Sequence, residues 1–271
     1  MTELTGIGLA GCGRMGAGML AALRRAGFDA RGFDIRPPAE FGALATAMEP
    51  DPARFAARLE TLITVVRDID QTEAVLFGAQ GFAAAPRLRR VLISSTLSPR
   101  YVQALRHRIP AHVAPIDAPM SGAQVAAEAA ELSFMLGGDP AELDAVQPLL
   151  AAMGRHFHRM GRFGAGMQAK VLNNLLAAAN TAMTRLVLDW ADAAGLDRDR
   201  LLALIATSSG QNWFASGFAR IEFARDGYAP DNTIGILVKD VQSALDAAPD
   251  GADTTLPETV QAAIRALTPR D

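Results

Sequence analysis

The stretch IGLAGCGRMGAGM, residues 7–19, narrows the possible folds of this chain more than any other. An apolar run over residues 4–10 meets Gly11, Gly13 and Gly16, and an apolar periodic segment follows over 15–23. Strand, tight turn and helix in that order fit a dinucleotide fingerprint. The first glycine allows the turn, the second lets backbone approach a pyrophosphate, and the third lets helix pack on strand. The helix N-terminus then faces the phosphates with free N–H groups. Glycine-rich turns alone are common. Here a second strand-like run, 30–33, ends at Asp34, 23 residues after Gly11, about where a ribose-binding acid belongs.

The first half continues to alternate. Apolar strand-like runs at 62–66, 91–93, 113–116 and 132–136 are separated by helical patterns at 41–47, 51–58, 69–77, 99–108 and 140–153, with a short edge strand at 156–159. That alternation predicts an α/β unit with a mostly parallel sheet. Glycines at 161, 164 and 166 interrupt the pattern, and the character then changes. A periodic segment over 166–194 predicts one helix about 42 Å long, broken at Gly195. Further helices are expected at 199–206, 213–225, 232–247 and 258–267. The expected domains are residues 1–163, a nucleotide-binding unit, and 164–271, an all-helical unit.

Composition excludes several classes. With 50% hydrophobic and 20% charged residues the chain is globular. A net charge of -3 argues against nucleic acid or an anionic membrane as partner. Cys12 is the single cysteine, so no internal disulfide or cysteine metal cluster can form, and it reads as small filler in the glycine turn. No apolar run reaches membrane-spanning length and the first 20 residues lack a signal pattern, so a cytoplasmic protein is expected. The histidines, His107, His112, His156 and His158, lack metal-ligand spacing. No G-x-S-x-G is present and no Walker lysine follows the glycines.

Polar residues at four places carry candidate chemistry. Ser94, Ser95 and Thr96 follow a strand, where doubly wound sheets bind ligands, although they also precede the Pro99 helix, which Ser98 is suited to cap. DAPMSG, residues 117–122, also ends a strand. Ser121 and Gly122 make either a small anion-binding corner or an ordinary turn. Lys170, Asn173 and Asn174 lie together on an alanine-rich helix, where buried polar groups need partners, either in a structural network or an active site. Arginine far outnumbers lysine, which makes Lys170 and Lys239 worth locating. Lys239 and Asp240 are adjacent on a helix and so are expected to serve different partners. Trp213 reads as packing.

Four blocks in order, IGLAGCGRMG, DAPMSG, GRFGAGMQAKVLNN and VKD, resemble the β-hydroxyacid dehydrogenase family, the group of 3-hydroxyisobutyrate, tartronate semialdehyde and 6-phosphogluconate dehydrogenases. The resemblance spans residues 4–267. It implies a Rossmann-type domain, a helical domain, an active site between them, and a homodimer or homotetramer packed through the helical domains. It implies Lys170 as catalytic lysine, Asn174 as the substrate-orienting residue beside it, and Ser121, Gly122 and Ala123 as the carboxylate-binding loop. Lys239 is implied near both cofactor and substrate, with Asp240 as its helix neighbour. The cofactor is expected to meet Gly11, Gly13, Arg14, Met15 and Gly16 at the turn. It is also expected to meet Asp34, Ile35 and Arg36 after the second strand, Val66 and Arg67 after the third, and Ser95 and Thr96 beside the nicotinamide.

Chemistry agrees with these roles. Oxidation of an alcohol carbon needs a base for the hydroxyl proton, and a lysine base needs its pKa lowered from about 10.4. Asp34 can accept from both ribose hydroxyls and repels a 2′-phosphate, which favours NAD, while Arg36 nearby offsets that and keeps NADP open. Three features depart from the family. Ala123 stands where a third loop glycine is usual, VVRD brings Arg67 to the cofactor edge, and the sequence ends at Asp271, before the usual glycine- and aspartate-rich tail. The substrate class expected is a short 3-hydroxy acid. The alternatives are an imine reductase, against which Lys170 argues, a non-catalytic nicotinamide-cofactor-binding protein, and a structural helical oligomer.

Overall fold

In the computed structural model, which describes residues 4–270, the apolar runs of the first half form strands. Residues 1–3 and 271 lie outside the described residues. The strands are β1 (Ile7–Ala10), β2 (Ala30–Phe33), β3 (Thr61–Thr64), β4 (Arg90–Ile93), β5 (Ala114–Asp117), β6 (Met120–Ser121), β7 (Leu132–Gly137) and β8 (Gly154–Gly161). The helices among them are α1 (Arg14–Arg25), α2 (Pro52–Arg58), α3 (Ile69–Leu76), α4 (Pro99–Leu105), α5 (Gln124–Glu128) and α6 (Pro140–Met153). Together these belong to a unit running Met1–Lys170, and Val171–Asp271 forms a second unit.

The sheet order is β2-β1-β3-β4-β5-β7-β6, with β8 paired to β7. The strands β1 to β5 are parallel. The order reverses at β1, and the crevice outside the carboxyl ends of such strands is where a doubly wound sheet takes its ligand. Side chains alternate between two cores. Ile63, Leu92 and Ile116 face one cluster with Leu20 and Leu23 of α1, while Leu62, Val91 and Ile93 face the other with Val102 of α4. Both faces are covered, which is why these strands read as continuous apolar runs.

Several expected elements change. The strand expected from residue 4 begins at Ile7, because Gly6 turns the backbone at φ 59. The helix expected at 41–47 is a 3₁₀ segment, Pro38–Ala47, broken where Gly42 takes φ 52. β6 and α5 were not read from the sequence. β6 lies on the same antiparallel register against β7 as β5, so DAPMSG runs from β5 into β6 before Gly122 turns at φ 134.

The second unit is helical. Helix α7 (Ala165–Ala193) begins in the first unit and runs through it, followed by α8 (Arg198–Ala206), α9 (Trp213–Gly217), α10 (Thr233–Asp246) and α11 (Thr255–Arg265). Ala178 of α7 packs with Ile234, Leu237 and Val241 of α10 and Val260 and Ile264 of α11. The helix expected at 213–225 stops at Gly217. Beyond it Phe218 is buried, and Arg185 takes the carbonyls of Ala224 and Asp226, so this segment's backbone is turned toward a side chain instead of a helical ladder. Trp213 makes ring contacts with Phe214 and Phe223 and is 43% exposed.

Candidate active site

The β1–α1 turn is built for close backbone approach. Gly11 takes φ 94, where an added Cβ would also collide with the Val65 carbonyl, and a Cβ at Gly16 would collide with the carbonyl of Gly11. At Gly13 a Cβ would meet nothing within 4 Å. Gly13 is also the N-cap of α1 and offers no side chain to its first turn. Open space and uncapped N–H groups fit a dinucleotide pyrophosphate. Arg14 is exposed beside it and Met15 half-buried.

Asp34 stands after β2. Its Oδ2 accepts the Cys12 N–H at 2.8 Å. Arg36 folds back onto the same carboxylate, giving its backbone N–H at 3.1 Å and its Nε at 3.0 Å to Oδ1. Arg36 Nη2 reaches the Cys12 carbonyl at 3.1 Å, and the guanidinium lies 4.6 Å from the Phe41 ring centre. Burial pushes the Asp34 carboxyl up, but the Arg36 side chain and the two N–H groups outweigh it and hold the group below its ordinary range. Burial, then the Asp34 charge, pushes the Cys12 thiol up to about 12, so Cys12 is filler. Ile35 projects into solvent.

At the ends of β3 and β4, Ser95 Oγ accepts the Val66 N–H at 2.9 Å. Ser95 is buried and braces the two strand ends, Thr96 beside it is half-buried, and Ser98 caps α4 through the Tyr101 N–H. Arg67 is exposed, with its N–H given to Gln71 Oε1 at 3.0 Å.

At β6, Ser121 pairs with Ser133 of β7 and is half-buried. Gly122 follows at φ 134, a backbone state that favours glycine. Ala123 is exposed at φ -79, ordinary for any residue, so the backbone there does not require a glycine.

Lys170 and Asn174 share the buried stripe of α7 with Met167, Val171, Ala178, Thr181 and Arg185. Asn173 is exposed and donates Nδ2 to Asn174 Oδ1 at 3.2 Å. Asn174 in turn donates its Nδ2 to Asp240 Oδ2 at 2.6 Å, and the Lys239 ammonium lies 3.0 Å from Asp240 Oδ1. Lys239 and Asp240 therefore share a network, contrary to the expectation from their adjacency. A long flexible lysine can curl onto a neighbour's carboxylate although their Cβ atoms diverge. Lys170 and Lys239 are the chain's two lysines, and both stand at candidate positions.

Sequence reasoning does not give the contacts of three buried charged side chains. Asp117 is a fully buried carboxylate at the end of β5. Asp240 was read only as a neighbour of Lys239, yet it holds Asn174. Arg185 is buried in the second unit and bonded to the carbonyls of Ala224, Asp226 and Thr268. The usable signal was a lone charge within an apolar strand or stripe, which must find partners.

A doubly wound sheet with this turn, an acid after β2, and a lysine and asparagine on a long helix define a class, the Rossmann-type nicotinamide-dependent oxidoreductases with a helical domain. Residues 6–161 match the family model described as the NAD binding domain of 6-phosphogluconate dehydrogenase. Residues 164–269 match that described as NAD-binding of NADP-dependent 3-hydroxyisobutyrate dehydrogenase. The chain belongs to the β-hydroxyacid dehydrogenase family, whose members couple a hydroxy acid to NAD or NADP.

Among its relatives, an L-threonate dehydrogenase of Cupriavidus necator is 34% identical over 201 residues, 73% of this chain and 67% of that protein. The mitochondrial 3-hydroxyisobutyrate dehydrogenase of Rattus norvegicus is 30% identical over 217 residues, 77% and 65% of the two chains. The match thus spans about two thirds of each relative. The solved structure of Mycobacterium tuberculosis 3-hydroxyisobutyrate dehydrogenase with L-serine superposes with a TM-score of 0.79 at 28% identity, covering 96% of this chain and 92% of that one. Among the described residues no helix is long and apolar enough to cross a membrane.

Proposed function

We propose that this chain oxidises a short 3-hydroxy acid with NAD as the preferred cofactor, and that Lys170 is its general acid/base. The observation that carries the reading is the shared buried stripe of α7, which holds Lys170 one turn before an Asn174 whose amide is oriented by Asp240. Buried polar groups are held by their partners, and an ammonium and an amide held one turn apart are suited to orienting one bound molecule.

The cofactor would be held by the Gly11–Gly13–Gly16 turn, by the first-turn N–H groups of α1, and by Asp34 at the ribose. When bound, its nicotinamide ring accepts or returns the hydride. Lys170 takes the substrate hydroxyl proton at Nζ during oxidation and gives it back during reduction. The Ser121 hydroxyl and the backbone of Gly122 and Ala123 hold the substrate carboxylate. Asn174 orients the substrate, and Lys239 supplies a second positive charge to cofactor and substrate. Domain limits at 1–163 and 164–271 and a cytoplasmic setting belong to the same reading.

The exposed side of α7 supports self-association. Leu172, Leu176, Met183, Leu186 and Trp190 are all exposed. At 3.6 residues per turn they fall on one narrow stripe. A second copy of this chain, in a homodimer or homotetramer, is the partner we propose for it.

The test is initial-rate reduction of NAD, and separately NADP, across 3-hydroxyisobutyrate, L-threonate, L- and D-serine, glycerate and 3-hydroxypropionate. NADH formation with one acid, lost by about 1,000-fold or more in Lys170→Met, is the expected result. Unchanged turnover in Lys170→Met overturns the assignment.

A further inference from the structure

Asp117 has no exposure to solvent, yet it carries a carboxylate at the end of an apolar strand. Both of its oxygens are taken up by the start of α7. Oδ1 accepts the Gly164 N–H at 2.7 Å and Oδ2 the Met167 N–H at 2.5 Å, with Gly166 N–H also contributing. The surroundings are shaped around it. A Cβ at Gly166 would lie 2.9 Å from Oδ2, and one at Gly137 would lie 2.9 Å from Cγ. Burial pushes the carboxyl up to about 6 despite these donors.

A serine or asparagine preceding α7 could satisfy the same N–H groups without burying a charge. What a cap from β5 adds is a tie between two distant pieces of chain. Ser121 follows Asp117 by four residues on the same register against β7. Lys170 follows Met167 by one turn of α7. One carboxylate therefore holds both the strand that leads to Ser121 and the turn that leads to Lys170.

We infer that Asp117 is a positioning residue, which fixes the first turn of α7 on the end of β5 and so sets Lys170 relative to the Ser121 loop. The inference rests on the reading of Lys170 as the acid/base. Asp117 acts only through the backbone it holds.

Two variants loosen the tie independently. Asp117→Asn removes one acceptor at nearly constant shape, and Gly166→Ala crowds the turn against the Met135 carbonyl of β7 as well as against Oδ2 of an intact Asp117. The chain has only two lysines, so biosynthetic ¹³Cε-lysine labelling gives two side-chain signals, assigned with Lys170→Met. The expected result in either variant is a Lys170 signal that moves or broadens while the Lys239 signal stays. With it, kcat on the best acid of the panel falls by about 10- to 100-fold while the NADH dissociation constant stays within about twofold. A Lys170 signal and a kcat at wild-type values in both folded variants overturn the inference and leave the Lys170 reading standing. Turnover retained in Lys170→Met overturns that reading, and this inference with it.

Discussion

Asn174 donates its side-chain amide to Asp240, Nδ2 to Oδ2 at 2.6 Å, across 66 residues of sequence. This bond decides which way round the amide sits, since only nitrogen can face a carboxylate. Asp240→Asn removes that discrimination and the partner of the Lys239 ammonium together. Hydrogen bonds to charged groups contribute about 1.5–3 kcal/mol. The variant is therefore expected to lose about 2 kcal/mol of stability in urea and to raise KM for the hydroxy acid by about tenfold. A KM at the wild-type value would separate Asn174 from substrate orientation.

The Asp34–Arg36 pair is expected to set cofactor choice. Arg36 occupies the carboxylate that a ribose diol would use, and its side chain is still 45% exposed. Arg36→Ala is expected to weaken NADP more than NAD, raising the NAD/NADP ratio of kcat/KM by about tenfold. Asp34→Ala is expected to lower that ratio. Equal ratios in all three proteins would place the discrimination elsewhere.

Asp34 also makes stability depend on acid. Its folded carboxyl lies below the ordinary range, so its contribution is fully present above about pH 4 and is lost as the pH falls through the folded value. Urea midpoints of wild type and Asp34→Asn are expected to converge below that pH.

Asp117 has the opposite sign. Its folded value near 6 exceeds the unfolded one, so the folded state binds the proton more tightly. Stability from this group rises as the pH falls from about 6 towards about 4, by about 3 kcal/mol in all. Relative to Asp117→Asn, the wild type is expected to gain stability between pH 7 and pH 4.5 in denaturant titrations. A difference that is flat with pH would contradict this.

The apolar stripe of α7 predicts association. Leu176→Glu combined with Trp190→Glu places two charges on it and is expected to shift the sedimenting species to the monomer. The Tm is also expected to lose its dependence on protein concentration. A wild-type chain already monomeric at micromolar concentration would dismiss the stripe as an interface.

The sequence by itself determined the local structure and the order of the motifs. Glycine sterics at Gly11 and Gly16, the apolar runs of β1 to β5, and the periodicity of α7 all depend on neighbours a few residues away. For that reason the α/β unit, the long helix and the cofactor turn were legible. The lysines of the chain were legible as candidates because they are so few.

Only the tertiary structure decided which charges meet. It folded Arg36 onto Asp34, curled Lys239 onto Asp240, extended DAPMSG into β6 and spent Asp117 on the first turn of α7. The first two pairs are close in sequence, yet side-chain torsions and packing set their contact, not spacing. The last two join β6 to β7 and β5 to α7. A buried charge must find a partner, but which partner depends on how the sheet and helices close around it, and no local pattern encodes that closure.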